Sequence, residues 1–137
     1  MKKNENFEKK STDSFSIYIQ AALAMMFIQL LHKFVRELGL AIELTESGIF
    51  NSQLPIYFVI GLIIGYAVAI ILSLLKFRMG FVIGMILGIE RIALPIIFHV
   101  ILGIPSDPIY YPVFCITQGS LVIFFSYEAY KNFRFIK

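Results

Sequence analysis

Two adjacent charged residues, Glu90 and Arg91, interrupt the third of four long apolar stretches in the sequence. They lie about eleven residues, or roughly 17 Å along a helix, from the start of that stretch, which is close to the middle of a bilayer. A charge at that depth costs at least about 2.5 kcal/mol on insertion scales, so it must be paired or hydrated and is a candidate for function. Arg91 could bind a counter-charged group, and Glu90 could carry a proton. Because neighbouring helix positions do not face each other, we expect each residue to pair with another helix or another copy.

Other polar residues are predicted at nearly the same depth on the remaining helices. They are Tyr66 and the adjacent Thr117 and Gln118, near the middle of their stretches, and Gln29, somewhat above the middle of the first. Together with the charged pair they form a predicted intramembrane polar site. Three interpretations remain open, namely a buried structural network, a solvated path or substrate site, and chance alignment.

A second group of candidates is predicted nearer to the outer face and consists of His32, His99 and Asp107. With Glu37 or Glu43 the two histidines could in principle bind a divalent cation. No HxxxH or HxxE spacing supports such a site, and a lone histidine near a membrane edge is more simply a hydrogen-bonding residue. We therefore predict neither a metal nor a cofactor.

Sequence signatures of enzymes are weak. There is no G-x-S-x-G elbow, no H-E-x-x-H and no P-loop. Ser106 and Asp107 fit turn chemistry better than a nucleophile with its orienting group. Cys115 is the single cysteine, so it can form no disulfide within the chain, and without a positive neighbour it is better explained as an inert thiol. We assign no catalytic residue.

The elements that position these residues follow from composition. Of the 137 residues, 58% are hydrophobic and only 15% are charged, with a mean hydropathy of +0.81, which excludes a water-soluble domain. No basic stripe interleaved with aromatic residues indicates nucleic-acid binding. Four apolar stretches of about 17 to 25 residues can each cross the hydrocarbon core as a helix, and they lack the alternation of barrel strands. The sequence predicts an all-α polytopic membrane protein, with four transmembrane helices in a small antiparallel bundle.

The sequence also suggests where each segment begins and ends. We predict a disordered cytoplasmic tail over 1–13, a four-helix transmembrane domain over 14–130 and a basic cytoplasmic tail over 131–137. The helices are expected at about 15–42, 55–75, 79–104 and 109–127, and the first includes an outer amphipathic extension beyond Leu31. Pro95 should kink the third helix.

The distribution of positive charge predicts the orientation. Of the 12 Lys and Arg residues, nine lie in the two tails and in the link at 76–78, whereas the opposite side has only Lys33 and Arg36. By the positive-inside rule both termini are cytoplasmic, and we expect the protein in the cell membrane.

Two stripes of glycine predict close helix packing. Gly80, Gly84 and Gly88 recur every fourth residue in the third helix, and Gly61 and Gly65 repeat the spacing in the second. The two stripes could face each other within one hairpin, or one of them could form the seam of a homodimer.

Three classes of function remain open at this point. The leading hypothesis is a non-enzymatic transporter or channel, built as an oligomer around Glu90 and Arg91. The second is an accessory structural subunit whose charges pair with helices of a larger membrane complex. The third is a small enzyme acting on lipid through His32, His99 and Asp107. The expected partners are the lipid bilayer and either further copies or a membrane complex.

Overall fold

Helices form almost all of the protein in the computed structural model, which describes residues 2–49, 51–105 and 109–133 and contains no strand within them. The first helix, α1, spans Lys2–His32, passes into a π-helical segment at Lys33–Glu37 and continues as α2, Leu38–Glu46. It is followed by α3 (Leu54–Leu74) and by α4 (Met79–Pro95), which ends in a second π-helical segment, Ile96–Ile101. The last helix is α5, Tyr111–Asn132. The predicted all-α fold is thereby confirmed.

Within the described residues, four helical stretches are long and apolar enough to cross a membrane. They are Ile17–Glu46, Leu54–Leu74, Met79–Ile101 and Tyr111–Asn132. Large apolar side chains cover their outer surfaces, for example Val35, Ile64 and Ile89, which are all more than half exposed. A water-soluble bundle would bury such side chains, so the exterior fits a protein surrounded by lipid.

The local sequence explains where two of the helices begin. Pro55 and Pro112 lie in the first turns of α3 and α5, where the missing N–H costs no hydrogen bond within the helix. Between α3 and α4, Lys76 adopts a left-handed conformation with a φ of 62°, and its N–H donates to the carbonyl of Ser73. This short link makes α3 and α4 antiparallel neighbours.

The first helix differs from the expectation at both of its ends. Its backbone is helical from Lys2, whereas we predicted disorder over 1–13; Lys and Glu favour helix, and extending an existing helix needs no new nucleus. Beyond Leu31, where we predicted an outer amphipathic extension, one charged side chain points into the bundle. Lys33 is completely buried there, because it faces α4. The division of the chain into tails and a transmembrane domain stays a prediction.

Pro95 coincides with a change of helix type. The α-helical part of α4 ends at this buried residue, and the chain continues as a π-helical segment. Proline cannot donate to the carbonyl four residues earlier, so the hydrogen-bond pattern must adjust around it.

The core lies along the inner face of α4. Buried apolar side chains from all the spanning helices meet there, namely Ala22, Met26, Tyr66, Ala69, Phe81, Leu87, Val122 and Ala129. One close crossing joins α4 to α5, because a Cβ at Gly88 would lie 3.0 Å from the carbonyl oxygen of Gly119. Such an approach between two backbones is possible only where side chains are absent.

The glycines of α4 are therefore covered within one chain. A Cβ at Gly80 would lie 2.5 Å from the backbone nitrogen of Ser73 in α3, and one at Gly84 would lie 2.8 Å from Sδ of Met26 in α1. Gly65 faces Leu87, whereas a Cβ at Gly61 would meet nothing within 4 Å. The two stripes thus do not simply face each other, because the α4 stripe serves α1, α3 and α5 in turn.

Candidate functional site

Four charged side chains meet inside the bundle and are called the ionic cluster below. Lys33 and Glu37 come from the π-helical segment after α1, and Glu90 and Arg91 come from α4. Lys33, Glu90 and Arg91 lie near the middle of their candidate membrane spans, Ile17–Glu46 and Met79–Ile101, and Glu37 lies one turn beyond Lys33. The wider turn of a π-helix changes the direction in which side chains point, and such segments often accompany functional sites.

Ion pairs connect the cluster across two helices. Nζ of Lys33 lies 2.9 Å from Oε2 of Glu37 and 2.9 Å from Oε1 of Glu90. Nη1 of Arg91 donates to Oε1 of Glu37. Glu37 therefore binds both cations, whereas Glu90 binds only Lys33.

The cluster is buried and electrically balanced. The side chains of Lys33 and Arg91 are 1% and 4% exposed, and those of Glu37 and Glu90 are 19% and 15% exposed. Two positive and two negative charges cancel in the formal count. Pairing offsets much of the cost of removing charges from water, whereas a lone charge at this position would bear that cost in full.

Polar and aromatic side chains complete the surroundings of Arg91. Its Nη2 lies 2.9 Å from Nδ1 of His32 and donates to Oε1 of Gln118 at 3.3 Å. The Tyr111 ring lies 6.0 Å from this guanidinium and 4.6 Å from that of Arg36, which is exposed. Tyr111 therefore separates an exposed arginine from the buried one, and both contacts have cation–π geometry.

Of the four neutral residues predicted for the intramembrane polar site, one contacts the ionic cluster, two are buried and one is exposed. Gln118 contacts Arg91 directly, and the buried Tyr66 donates from its hydroxyl to the carbonyl of Leu87 at 3.2 Å. Gln29 is completely buried on α1, one turn before Lys33. Thr117 does not join them, because it is exposed and its hydroxyl donates to the carbonyl of Val113 at 2.8 Å.

The three outer-face candidates do not form one site in the described part of the chain. His32 belongs to the ionic cluster through Arg91, and its Nδ1 also lies 3.5 Å from Oε1 of Glu37. His99 is engaged elsewhere, with Nδ1 2.7 Å from the carbonyl oxygen of Ile104. Asp107 lies outside the described residues. Among the residues that are described, no three His, Cys, Asp or Glu side chains are arranged to hold a metal ion.

Several buried polar atoms of the site have no hydrogen-bond partner among the described residues. They include Oε2 of Glu90, Nε of Arg91, Nε2 of His32 and both amide atoms of Gln29. A buried polar group without a partner costs roughly 1 to 3 kcal/mol. Such a group therefore marks either a place for bound water or a functional site.

Sequence reasoning missed Lys33 and Glu37 as members of the site. A signal was present, because Ala22, Met26, Gln29 and Lys33 follow one another at helical spacing and all four are fully buried. Glu37 continues the same face one turn later. The mixed charges after Leu31 instead favoured an exposed extension, and nothing in the sequence predicted the π-helical segment. Gly119 was missed because it stands alone, without a second small residue four positions away that would mark a packing stripe.

The fold and the cluster together define a class, a small α-helical membrane protein with a balanced set of charges inside its bundle. No family model matches the chain, and no curated protein or solved structure matches it either. The function must therefore be inferred from the geometry of the cluster.

Proposed function

We propose that this protein is a small membrane transport protein that moves protons, and that Glu90 is the group that carries them. The single observation behind the proposal is the unequal bonding of the two buried carboxylates. Both oxygens of Glu37 accept from cations, whereas Oε2 of Glu90 is buried without a partner among the described residues. An acceptor oxygen that is left free can take a proton without displacing an existing hydrogen bond.

The remaining members of the cluster support this role for Glu90. Lys33 binds Oε1 of Glu90 and also Oε2 of Glu37, so it can move its interaction toward Glu37 when Glu90 becomes neutral. Arg91 is held by Glu37 on one side and by Gln118 on the other. Glu37 and Arg91 thus form a fixed pair, while Glu90 is the residue that changes its charge.

A working site inside one chain also bears on the other hypotheses. Charges that pair within the chain do not need the helices of a larger complex, which removes the main motive for an accessory subunit. Separate partners for the two histidines give no support to an enzyme that uses both. In the proposed arrangement both termini are cytoplasmic, the membrane is the cell membrane, and transport does not require a seam between copies.

Proton flux into vesicles tests the proposal. The purified protein is reconstituted into liposomes, a potassium gradient with valinomycin sets the membrane potential, and a trapped pH-sensitive dye reports proton entry. We expect the wild type to conduct protons faster than protein-free vesicles. Glu90→Gln should return the rate to the protein-free level, because an amide cannot take up and release a proton in this pH range.

A matched control is available in the exposed Glu43 of α2. Glu43→Gln removes the same charge outside the cluster and should leave the rate of proton entry unchanged. A wild-type rate equal to that of protein-free vesicles would contradict the proposal, as would full activity of Glu90→Gln.

A further inference from the structure

Three buried polar side chains continue from the ionic cluster along the inner face of α4. Gln29 and Ser126 are completely buried and Ser73 is 4% exposed. Neither the amide atoms of Gln29 nor the two hydroxyl oxygens have a hydrogen-bond partner among the described residues. These three residues are called the polar file below. Three such groups in one row need a physical explanation, because buried polar atoms are normally paired.

Their order along α4 follows from contacts with its glycines. Oγ of Ser73 lies directly against Gly80, where a Cβ on that residue would overlap it. Oγ of Ser126 lies 3.0 Å from the corresponding position on Gly84. The two serines therefore stand about one helical turn apart, on α3 and α5 respectively, although they are distant in the sequence.

Gln29 occupies the level between these serines and the ionic cluster. On the same face of α1, Met26 contacts Gly84 and Lys33 binds Glu90. Gln29 lies between them, one turn from each. From Glu90 to Gly80 the polar file therefore accompanies roughly 15 Å of α4, given a rise of 1.5 Å per residue.

Bound water is the ligand that such groups take most often. A buried water molecule typically makes about three hydrogen bonds to polar groups that would otherwise be unsatisfied. Serine hydroxyls and the glutamine amide each offer both a donor and an acceptor. A chain of such groups and waters can pass a proton by exchanging hydrogen bonds, so that one proton enters at one end as another leaves at the opposite end.

We propose that Gln29, Ser126 and Ser73 line a file of bound water that conducts protons between Glu90 and the end of α4 that begins at Met79. The proposal rests on the proton-carrying role of Glu90 and adds the path by which protons reach it. Oε2 of Glu90 accepts the proton at the inner end of the file and later releases it, so no other reactant is consumed.

Replacement of a serine in the file tests the path. Ser126→Ala removes one hydroxyl and adds no volume, and we expect it to lower proton entry into vesicles about tenfold, equivalent to about 1.4 kcal/mol in the barrier. Ser120→Ala is the matched control on the same helix, since Ser120 is exposed and its hydroxyl donates to the carbonyl of Ile116. Equal flux through both variants and the wild type would overturn the proposed path.

Silver labelling tests hydration without relying on flux. In a Cys115→Ala background, which removes the only natural cysteine, Ser126→Cys and Ser120→Cys each place one thiol on α5. Ag⁺ reacts with thiolate, which forms in water rather than in lipid. We expect the Ser126→Cys variant to gain the mass of bound Ag⁺ and to lose its proton flux. The Ser120→Cys variant should stay unmodified.

The two readouts separate the two proposals. Absence of silver labelling at Ser126→Cys would overturn the water file even where the wild type conducts protons through Glu90. Labelling of Ser126→Cys in a wild-type protein that carries no flux would overturn the proposed function, and with it the proton-conducting role of the file.

Discussion

Glu37 and Glu90 are the same residue type in one cluster, but their partners give them different roles. Glu37 accepts hydrogen bonds from both Lys33 and Arg91, so it compensates buried positive charges on two helices. Glu90 is bound by Lys33 alone, and Lys33 keeps a second partner when Glu90 loses its charge. The stability of the folded protein therefore depends mainly on Glu37, whereas Glu90 is the residue that changes its charge.

The two roles can be distinguished by how much stability the protein loses when each carboxylate is replaced. Glu37→Gln leaves Arg91 buried without a carboxylate and should lower the free energy of unfolding by about 3 kcal/mol, at the low end for a broken buried pair because the Glu37 side chain is 19% exposed. Glu90→Gln should cost clearly less. Denaturant unfolding in mixed micelles measures both values, and a larger loss for Glu90→Gln would contradict the assignment.

At the scale of the element, the glycines of α4 determine how closely the helices approach. The Gly80 contact involves the backbone of Ser73 and Ala69, which cannot move aside as a flexible side chain can. Gly61 shows the same spacing relative to Gly65 in the sequence, yet its surroundings are open. The same four-residue spacing of glycines thus marks a packing face at Gly80 but not at Gly61, because only Gly80 has a neighbouring helix beside it.

This contrast gives a matched pair of substitutions. Gly80→Ala should lower the free energy of unfolding by at least about 2 kcal/mol, because its Cβ would overlap the backbone of α3. Gly61→Ala should be neutral, or stabilising by up to about 1 kcal/mol through the higher helix propensity of alanine. Thermal unfolding of the two purified variants checks both values. Equal losses would show that α3 and α4 do not approach as described.

The sequence predicted the helices more completely than the site. The apolar stretches determined the all-α fold and located α3 and α4 closely, since helix length and hydropathy are local properties. Glu90 and Arg91 stood out because charges are rare in apolar surroundings. Their partners could not be deduced, because Lys33 and Glu37 lie in a mixed charged segment whose direction depends on the π-helical turn and on tertiary packing.

At the scale of the whole molecule, the ionic cluster depends on one ion pair. Lys33 joins the first spanning stretch to α4 through Glu90, over a sequence separation of 57 residues. If this pair forms, the charges lie inside the bundle of one chain, and Glu90 is placed where it can change its charge. If it does not form, the charged side chains of the first stretch do not meet those of α4, and the proposed site is lost.

A double-mutant cycle on Lys33 and Glu90 is the most direct test of this account. The free energy of unfolding is measured in lipid–detergent micelles for the wild type, Lys33→Met, Glu90→Gln and the double variant. Residues in contact show interaction energies of roughly 0.5 to 3 kcal/mol in such cycles. We predict that the double variant loses at least about 1 kcal/mol less stability than the sum of the two single losses. Losses that add to within about 0.3 kcal/mol would contradict a direct pair and, with it, the ionic cluster on which the proposed function depends.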